Sequence, residues 1–519
     1  MMSFLAFLVV SACIREDESK CEVSQDGRCA DDVPDSGVEA DTDIDTDADS
    51  DTDTDADADA DGDTDTDADA DTDTDSDTDE DTDTTPPIDV DLETSRGAKL
   101  IGEEPGDASG PMGLAAAGDV DGDGYGDLLV GMGYAEVIDG EAYLVRSPVS
   151  GAFDLSLSEA KVHGTDMEQC GSAVSGVGDV NADGYADILV GAERGDRVGN
   201  DRAGVVYLFY GPVTGDIDTS SADVTIHGPL NPVTEGTDLS RAGEGLASGD
   251  FDGDGIADAM IAAPAVATIF AIPGPLTSDV SLTFDWADQY WGETNLGVSV
   301  AAAGDTDGDG VDDVLIGDQG ASALFLGTFS GLVRQAHADS LLWLADAANL
   351  TNGVTAAGDT DGDGYGDVLI ADIYAGDPYT WTGAAYLVRG PVASSVDLEA
   401  ADAWVVGPED GAYLGSGLAG LGDVNEDGFA DVAVGSSRRE ASEAGVTYVF
   451  YGPLSGAVSI NSAEVALRGG AGDYAGGPVT SAGDVDGDGL PDILIGGDGD
   501  ADGGIDAGAA WLVLASSLP

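Results

Sequence analysis

The chain has 519 residues, and its 104 Asp and Glu side chains far outnumber its 16 Lys and Arg side chains. The formal net charge of -88 repels phosphate groups, which excludes nucleic acids and anionic lipid surfaces as partners and leaves cations as the natural counter-charges. Because 42% of the residues are hydrophobic, and those beyond residue 97 recur in short regular runs, most of the chain is expected to fold.

The first residues resemble the export signal of a bacterial lipoprotein. A short apolar run, Phe4 to Val10, leads into Val10-Ser11-Ala12-Cys13, which is similar to a lipobox, although no Lys or Arg precedes the run. The resemblance implies a lipoprotein-type signal peptide at 1–12 and a lipid on Cys13, which would be the only link to a membrane. The alternative is a fortuitous apolar N-terminus.

A polar and then strongly acidic segment follows. Residues 13–40 predict a polar tether, in which Cys21 and Cys29 could pair in an oxidising compartment. Every odd position from 41 to 83 is Asp. Because like charges repel along such a chain, 41–96 is expected to be a disordered linker, working as a stalk or as a weak calcium store.

From residue 97 the chain repeats one unit seven times. Each unit has an acidic loop that runs directly into an apolar strand, then an aromatic-rich strand, and a last strand that ends in Gly. Four short strands per unit, without a long helical period, predict an all-β repeat protein. Successive loops begin 54 to 71 residues apart. The loops are GDVDGDGYGD at 118–127, GDVNADGYAD at 178–187, GDFDGDGIAD at 249–258, GDTDGDGVDD at 304–313, GDTDGDGYGD at 358–367, GDVNEDGFAD at 422–431 and GDVDGDGLPD at 483–492.

The two ends of this region indicate a closed ring. The seventh unit ends after its third strand, 510–514, whereas a lone strand of the fourth type, 98–102, precedes the first loop. That strand would complete the seventh blade of a seven-bladed β-propeller over 97–519. Closure would remove the open edges that otherwise invite aggregation.

The acidic loops carry the ligand types of a calcium site. Numbered from the Asp after the first Gly, positions 1, 3, 5 and 9 are Asp or Asn and position 6 is Gly, which permits a tight turn. Ca²⁺ prefers six to eight oxygens at about 2.3–2.6 Å, and these side chains with the carbonyl of position 7 can supply them. The loop is not an EF-hand, because position 12 of the first loop is Val130 rather than Glu and strands flank it. Asp-Gly turns without a metal are the alternative.

About seven structural calcium sites are therefore predicted, and the fold is expected to depend on them. The predicted ligands are Asp119, Asp121, Asp123, Tyr125, Asp127, Asp179, Asn181, Asp183, Tyr185, Asp187, Asp250, Asp252, Asp254, Ile256, Asp258, Asp305, Asp307, Asp309, Val311, Asp313, Asp359, Asp361, Asp363, Tyr365, Asp367, Asp423, Asn425, Asp427, Phe429, Asp431, Asp484, Asp486, Asp488, Leu490 and Asp492.

These loops resemble the FG-GAP repeats of integrin α-chain propellers over residues 98–519. The name-giving Phe-Gly pair is changed, for example to Cys170-Gly171 and Leu414-Gly415, whereas the acidic positions match well. The resemblance implies a propeller, calcium bound between the first two strands of a blade, and an adhesive or ligand-binding role. It does not identify the ligand.

The loops between the second and third strands are candidates for partner binding. Because strands in a blade alternate in direction, these loops lie on the face opposite the acidic loops, where Arg and aromatic residues are typical of binding hot spots. Solvated residues that balance nearby acids are the alternative. The candidates are Arg194, Arg197, Arg202, Tyr374, Tyr379, Trp381, Arg438 and Arg439.

Catalysis has little support in the sequence. The chain has three His and lacks a Ser nucleophile elbow, a His-rich metal cluster and a phosphate-binding Gly loop. We therefore expect a non-enzymatic binding or adhesion module for an extracellular protein or glycan. It would be a surface lipoprotein of the outer membrane facing the exterior, or a secreted protein. The alternatives are a propeller-scaffold enzyme acting on polysaccharide or phosphoester, and a structural surface-coat component.

Overall fold

A computed structural model gives the fold of most of the repeat region. The described residues are 86–103, 113–133, 135, 139–196, 202–230, 240–283, 299–318, 320–327, 331–333, 338–344, 353–375, 381–408, 411–438, 443–504 and 507–519. The predicted signal peptide, the predicted lipidation site Cys13, the predicted polar tether with its two cysteines and the Asp-rich repeat lie outside the described residues, as do Arg197, Tyr379 and Arg439.

The described chain is built from short strands joined by loops and single 3₁₀ turns. The strands are β1 (Ile88–Asp91), β2 (Gly97–Ile101), β3 (Gly113–Gly118), β4 (Asp127–Met132), β5 (Glu141–Val145), β6 (Gly151–Asp154), β7 (Ala160–His163), β8 (Cys170–Gly178), β9 (Asp187–Ala192), β10 (Val205–Phe209), β11 (Gly215–Asp218), β12 (Val224–His227), β13 (Gly245–Gly249), β14 (Asp258–Ala263), β15 (Thr268–Ile272), β16 (Val280–Ser281), β17 (Ser299–Gly304), β18 (Asp313–Gly317), β19 (Ala321–Phe325), β20 (Gly331–Val333), β21 (Ser340–Trp343), β22 (Val354–Gly358), β23 (Asp367–Asp372), β24 (Ala384–Val388), β25 (Val396–Asp397), β26 (Ala403–Val406), β27 (Leu414–Gly422), β28 (Asp431–Ser436), β29 (Val446–Phe450), β30 (Gly456–Val458), β31 (Val465–Arg468), β32 (Val479–Gly483), β33 (Asp492–Gly497) and β34 (Ala509–Val513). The 3₁₀ turns are Leu92–Thr94, Leu155–Leu157, Thr219–Ser221, Pro264–Val266, Leu398–Ala400, Ile460–Ser462 and Ala515–Ser517.

These strands form seven sheets, one for each acidic loop. In order from the first strand outward the sheets are β3-β4-β5-β7-β11, β8-β9-β10-β12-β16, β13-β14-β15-β20, β17-β18-β19-β21-β25, β22-β23-β24-β26-β30, β27-β28-β29-β31-β1 and β32-β33-β34-β2-β6. The first strands contact one another in sequence around the molecule, and β32 of the last sheet contacts β3 of the first. The protein is therefore the all-β, seven-bladed propeller that the repeats predicted.

Within the described part of the chain, six of the blades have a fifth strand, which the sequence did not predict. The fifth strand of a blade comes from the next unit along the chain, from the segment between that unit's third and fourth strands. It pairs in parallel with the fourth strand of the blade, as β11 of the second unit does with β7 of the first blade. In the third blade β20 instead pairs antiparallel with β15. The extra strand covers a blade edge that would otherwise present unpaired backbone groups.

The ring is closed in the predicted way and by a second contact. Strand β2 pairs antiparallel with β34, from Gly97 opposite Val513 to Ile101 opposite Ala509. In addition β1 pairs in parallel with β31 of the sixth blade. The predicted linker boundary at residue 96 is therefore wrong, because Ile88–Thr94 already forms a strand and a 3₁₀ turn.

The core lies between the blades. Seven clusters of buried apolar side chains each join two neighbouring sheets, and the cluster that unites the seventh and first blades contains Leu100 and Leu512 beside Leu128. Cys170 is fully buried in the cluster between the first two blades. No helix among the described residues is long and apolar enough to cross a membrane.

Candidate metal centres and partner surface

Each acidic loop joins the first strand of a blade to the second, so all seven lie on one face of the propeller. The Gly at position 6 has a left-handed backbone in every loop, with φ between +85° and +95°. Such a conformation is costly for a residue with a Cβ, which explains why this position is always Gly. The predicted turn is therefore present in all seven units.

The Asp at position 1 organises the loop backbone. In the first loop Asp119 Oδ1 accepts the N–H groups of Gly122 at 2.7 Å and Asp123 at 3.0 Å. Its Oδ2 accepts the N–H of Gly124 at 3.0 Å, and the equivalent bond is 2.8–3.0 Å in the other six loops. One carboxylate thus holds the loop wrapped around itself.

The side chains at positions 3 and 5 each accept a backbone N–H of the loop with one oxygen, which leaves the second oxygen for another partner. In the first loop Asp121 Oδ1 accepts the N–H of Asp123, and Asp123 Oδ1 accepts the N–H of Tyr125, each at 3.0 Å. Oxygens from three carboxylates of one loop then converge to within 4.8 Å of one another. The converging sets are Asp119, Asp121 and Asp127; Asp250, Asp252 and Asp254; Asp305, Asp307 and Asp313; and Asp359, Asp361 and Asp367.

These oxygen sets fit a hard divalent cation. Carboxylates at the centre of a tight loop are the donors that Ca²⁺ prefers, and their mutual repulsion would be relieved by a positive ion. In the four converging sets the residues that would hold it come from positions 1, 3, 5 and 9, and the complete ligand set of each loop stays a prediction. A ligand role for the carbonyls at position 7 stays a prediction.

The seven loops differ at position 3 in a way that bears on cation binding. In the first and fifth loops an Arg from the end of the third strand reaches this carboxylate: Arg146 Nε lies 2.9 Å from Asp121 Oδ2, and Arg389 Nη1 lies 3.0 Å from Asp361 Oδ2. In the second and sixth loops position 3 is Asn, and Asn181 Nδ2 donates to Asp183 Oδ2 at 3.0 Å, as the equivalent Asn does in the sixth loop. The third, fourth and seventh loops have neither feature.

The Asp at position 9 has a structural role that the sequence did not reveal. Its two oxygens accept two buried backbone N–H groups, one at loop position 2 and one just after the third strand, at 2.7–3.1 Å in all seven blades. The carboxylate is at most 2% exposed in each case. Burial raises the pKa of Asp127 and of Asp492 to about 6, although the backbone N–H groups oppose the shift.

Neighbouring loops are also linked directly to each other. The N–H at position 8 donates to the carbonyl of position 1 in the preceding loop, as Ala186 does to Asp119 at 2.9 Å, and the same bond occurs at five junctions. The seventh loop cannot make it, because Pro491 at position 8 has no N–H. The side chain at position 7 packs over position 4 of the preceding loop, so that a Cβ on Gly122 would lie 2.8 Å from the Tyr185 ring. Most neighbouring loops are therefore linked directly rather than forming seven separate turns.

A further acidic cluster, outside the loops, is paired with the ammonium group of a Lys side chain. Carboxylate oxygens of Glu93, Asp473 and Asp500 lie within 4.8 Å of one another. The ammonium group of Lys99 is 2.9 Å from Glu93 and 2.6 Å from Asp500, and it lies 5.4 Å from the centroid of the Trp511 ring. Because Lys99 belongs to β2, this ion pair helps to attach the closing strand to the seventh blade.

The structure brings three of the predicted partner-binding residues together on the opposite face. Tyr374 and Trp381 of the fifth blade pack edge to face, with ring centroids 6.3 Å apart. Trp381 also contacts Tyr413, which the sequence analysis missed, at 6.0 Å, and the guanidinium of Arg438 lies 5.4 Å from the centroid of the Tyr413 ring. We call Tyr374, Trp381, Tyr413 and Arg438 the aromatic cluster.

The other described candidates lie in the second unit. Arg194 approaches Glu193 at 4.0 Å, and the backbone N–H of Arg202 donates to Asp196 at 2.9 Å. These two side chains belong to a different blade from the aromatic cluster. Tyr413 could have been found from its position before Leu414-Gly415, which is equivalent to that of Tyr474 before Ala475-Gly476.

Comparison with known proteins agrees with this architecture. The FG-GAP repeat family matches residues 171–209 and 414–450, in the second and sixth blades, so the chain carries FG-GAP repeats. The chain is similar to phosphatidylinositol-glycan-specific phospholipase D of Rattus norvegicus, with 33% identity over 151 residues, which is 27% of this chain and 17% of the relative. It is also similar to integrin alpha pat-2 of Caenorhabditis briggsae, with 26% identity over 285 residues, which is 49% of this chain and 22% of the relative.

The matched segments span less than a quarter of either relative. A solved structure, BBS1N in complex with ARL6DN soaked with lead, is 11% identical and covers 82% of this chain and 98% of that chain. Its TM-score of 0.45 is too low to support an argument. The protein is thus a seven-bladed β-propeller in which two segments match the FG-GAP repeat family, and it is similar in part to integrin α chains and to a phospholipase D.

Proposed function

We propose that the chain is an exported, non-catalytic binding module whose propeller is stabilised by calcium in its seven acidic loops. The observation that carries this proposal is the convergence of carboxylate oxygens within single loops, repeated around one face. When bound, Ca²⁺ would supply positive charge and oxygen coordination at the centre of each loop. The protein's own residues hold the loop backbone and link the loops at five of the blade junctions.

The energetic effect of such sites would be large. Extracellular modules bind calcium with a Kd of about 0.1–1 mM, so a site at the tighter end would add roughly 1.4 kcal/mol at 1 mM calcium. Seven such sites would together add about 10 kcal/mol, which is comparable with the net stability of a whole domain. An exported location, where calcium is abundant, agrees with this dependence.

The loops are not expected to bind equally. In the first and fifth loops a cation would have to displace the guanidinium of Arg146 or Arg389 from a position-3 carboxylate. In the second and sixth loops Asn lowers the ligand charge. We therefore expect the third, fourth and seventh loops to bind calcium most tightly.

Thermal unfolding of the full chain across a calcium titration, with EDTA and magnesium controls and a count of bound ions, tests the proposal. The expected result is a Tm that rises by many degrees with calcium, and a binding curve with a tight class of about three sites before the weaker ones. Arg146→Ala should move the first loop into the tight class. A Tm that does not respond to calcium, with no ion bound, would refute the calcium proposal.

The binding role is proposed for the face opposite the loops. Its 2–3 loops vary between units while the blade scaffold stays constant, which is the usual arrangement of recognition surfaces. A partner would be an extracellular protein or a glycan, and attachment through Cys13 or secretion would place the propeller outside the cell. Labelling with a palmitate analogue, compared between the wild type and Cys13→Ser, tests the anchor.

The similarity to a phospholipase D supports a second candidate, an enzyme that acts on phosphoesters. The matched segment is 17% of that relative, and the acidic side chains of the loops in this chain are accounted for by backbone hydrogen bonds. Release of phosphate or of an alcohol from a phosphodiester panel, abolished by one acidic substitution outside the loops, would establish the enzyme. The absence of turnover on that panel would favour the binding module.

A further inference from the structure

We propose that the aromatic cluster binds a neutral saccharide, with pyranose rings stacked on Trp381 and Tyr374. This inference rests on the proposed role of the propeller as a binding module, and it names the chemistry of the ligand. Trp381 is 44% exposed and Tyr374 is 39% exposed, although both are large apolar side chains. Exposed aromatic residues that pack against one another on a single patch are typical of a contact surface.

Backbone hydrogen bonds between the fifth and sixth blades hold the residues of the aromatic cluster in place. The N–H of Tyr413 donates to the carbonyl of Trp381 at 3.2 Å, and the N–H of Leu414 donates to that of Thr382 at 3.0 Å. Trp381 and Tyr413 both have left-handed backbones, with φ of +46° and +52°. Bulky residues rarely adopt this conformation, and they keep it where the surrounding structure enforces it, often at ligand sites. The rings are thus presented from a preorganised support.

The same support occurs at other blade junctions with different side chains. Glu443 and Tyr474 occupy the equivalent positions between the sixth and seventh blades, with φ of +53° and +55° and a backbone bond of 3.1 Å. There the Tyr474 hydroxyl donates to the Glu443 carboxylate. Between the second and third blades Arg241 forms an ion pair with Glu193 at 2.6 Å. The support is therefore a general feature of the propeller, and the junction of the fifth and sixth blades uses it to display aromatic rings.

The charge of the protein selects among possible ligands. An anionic ligand is repelled by the net charge of -88. A cationic ligand would find a higher density of carboxylates in the Asp-rich repeat at 41–83 and in the acidic loops. What distinguishes this patch is the exposed aromatic surface, which selects by stacking rather than by charge.

A saccharide matches this surface in shape and polarity. A pyranose ring has an apolar face of C–H groups that packs on an aromatic ring, and its hydroxyl groups point outward at the edge. The ring of Trp381 is inclined by 71° to that of Tyr374 and by 44° to that of Tyr413, so the rings offer surfaces in different directions. The guanidinium of Arg438 brings hydrogen-bond donors for hydroxyl groups to the same patch.

Binding of the full chain to neutral polysaccharides tests the proposal. The probes are β-1,4-glucan, β-1,3-glucan, mannan and xylan in affinity electrophoresis, followed by calorimetry with the hexasaccharide of any that bind, at 2 mM calcium. The expected result is binding to at least one probe, with an affinity that does not change between 0.1 and 0.5 M NaCl because the ligand is uncharged. Trp381→Ala should weaken it by about tenfold or more, and Trp381→Phe should retain most of it.

Trp343→Ala is the matched control, because Trp343 is also exposed, at 39%, but lies on β21 of the fourth blade. It should leave saccharide binding unchanged. The inference is overturned if none of the four polysaccharides binds, if Trp343→Ala weakens binding as much as Trp381→Ala, or if the cluster instead binds an oligolysine peptide in a salt-sensitive way. The calcium-dependent Tm of each variant is recorded in parallel, so that failure of the saccharide site and failure of the calcium proposal are distinguished.

Discussion

Replacing Asp492 and Asp488 separately by Ala would distinguish the structural carboxylate of an acidic loop from its cation-binding carboxylate. Asp492, at position 9 of the seventh loop, accepts the buried N–H groups of Val485 at 3.1 Å and Ala515 at 2.8 Å. Asp488, at position 5, is exposed, and its side chain accepts the N–H of Leu490 at 2.9 Å. The two residues belong to one loop, and both are predicted ligands.

The expected magnitudes follow from these contacts. In EDTA, Asp492→Ala leaves two buried N–H groups without an acceptor, each at a cost of about 1–3 kcal/mol. Part of this is offset, because burial raises the pKa of Asp492 to about 6 and its charged form is therefore unfavourable in the folded state. We expect a net loss of about 2–4 kcal/mol in the free energy of unfolding. Asp488→Ala should cost less than about 1 kcal/mol under the same conditions, because solvent can replace its bond.

Urea unfolding of the full chain in EDTA and in 5 mM calcium measures both effects. Asp488→Ala should lose mainly the calcium-dependent part of the stability, whereas Asp492→Ala should already be destabilised without calcium. Equal stability of the two variants in EDTA would refute the structural role assigned to position 9.

Two further predictions concern the closing segment and a half-buried acid. Leu92→Ala should lower the free energy of unfolding by about 2–5 kcal/mol, because Leu92 is 2% exposed in the core between the sixth and seventh blades. Leu157→Ala, on the equivalent 3₁₀ turn but 71% exposed, is the control and should change little; a loss for Leu92→Ala no larger than that of the control would contradict the packing role of Leu92 in the closing segment. Burial raises the pKa of Glu244 from 4.5 to about 7, although Arg241 opposes the shift, so the folded state binds more protons between these values and stability falls as the pH rises through them. Glu244→Gln should therefore lose less stability than the wild type between pH 5 and pH 8 in urea titrations, and identical slopes would contradict the assignment.

Much of the fold could be predicted because the repeats constrain it locally. Seven copies of one loop, each followed by an apolar strand, define the number of blades, and the lone strand at 98–102 implies closure through the seventh blade. The second closing contact was missed. Residues 88–92 alternate apolar and acidic residues, which is a strand pattern, but so short a segment does not show by itself that it pairs with β31 or that Leu92 is buried.

The candidate metal residues were similarly visible as a pattern, but their division of labour was not. The acidic residues at positions 3, 5 and 9 look equivalent in sequence. In the structure, however, the side chain at position 9 is buried where the third strand ends, whereas the side chains at positions 3 and 5 are more exposed to solvent. The contact between Arg146 and Asp121 joins residues 25 positions apart, which no local motif reveals.

The sequence alone determined the all-β class, the seven units, the closing strand and the positions of the acidic loops, because each depends on a short pattern repeated within one unit. Only the tertiary structure decided which residues of different units meet. The parallel edge strands, the links between neighbouring acidic loops and the aromatic cluster formed by Trp381 and Tyr413 all cross from one blade to the next. Contacts of this kind depend on how the blades pack around the ring, and packing is a property of side chains brought together in space rather than of their order along the chain.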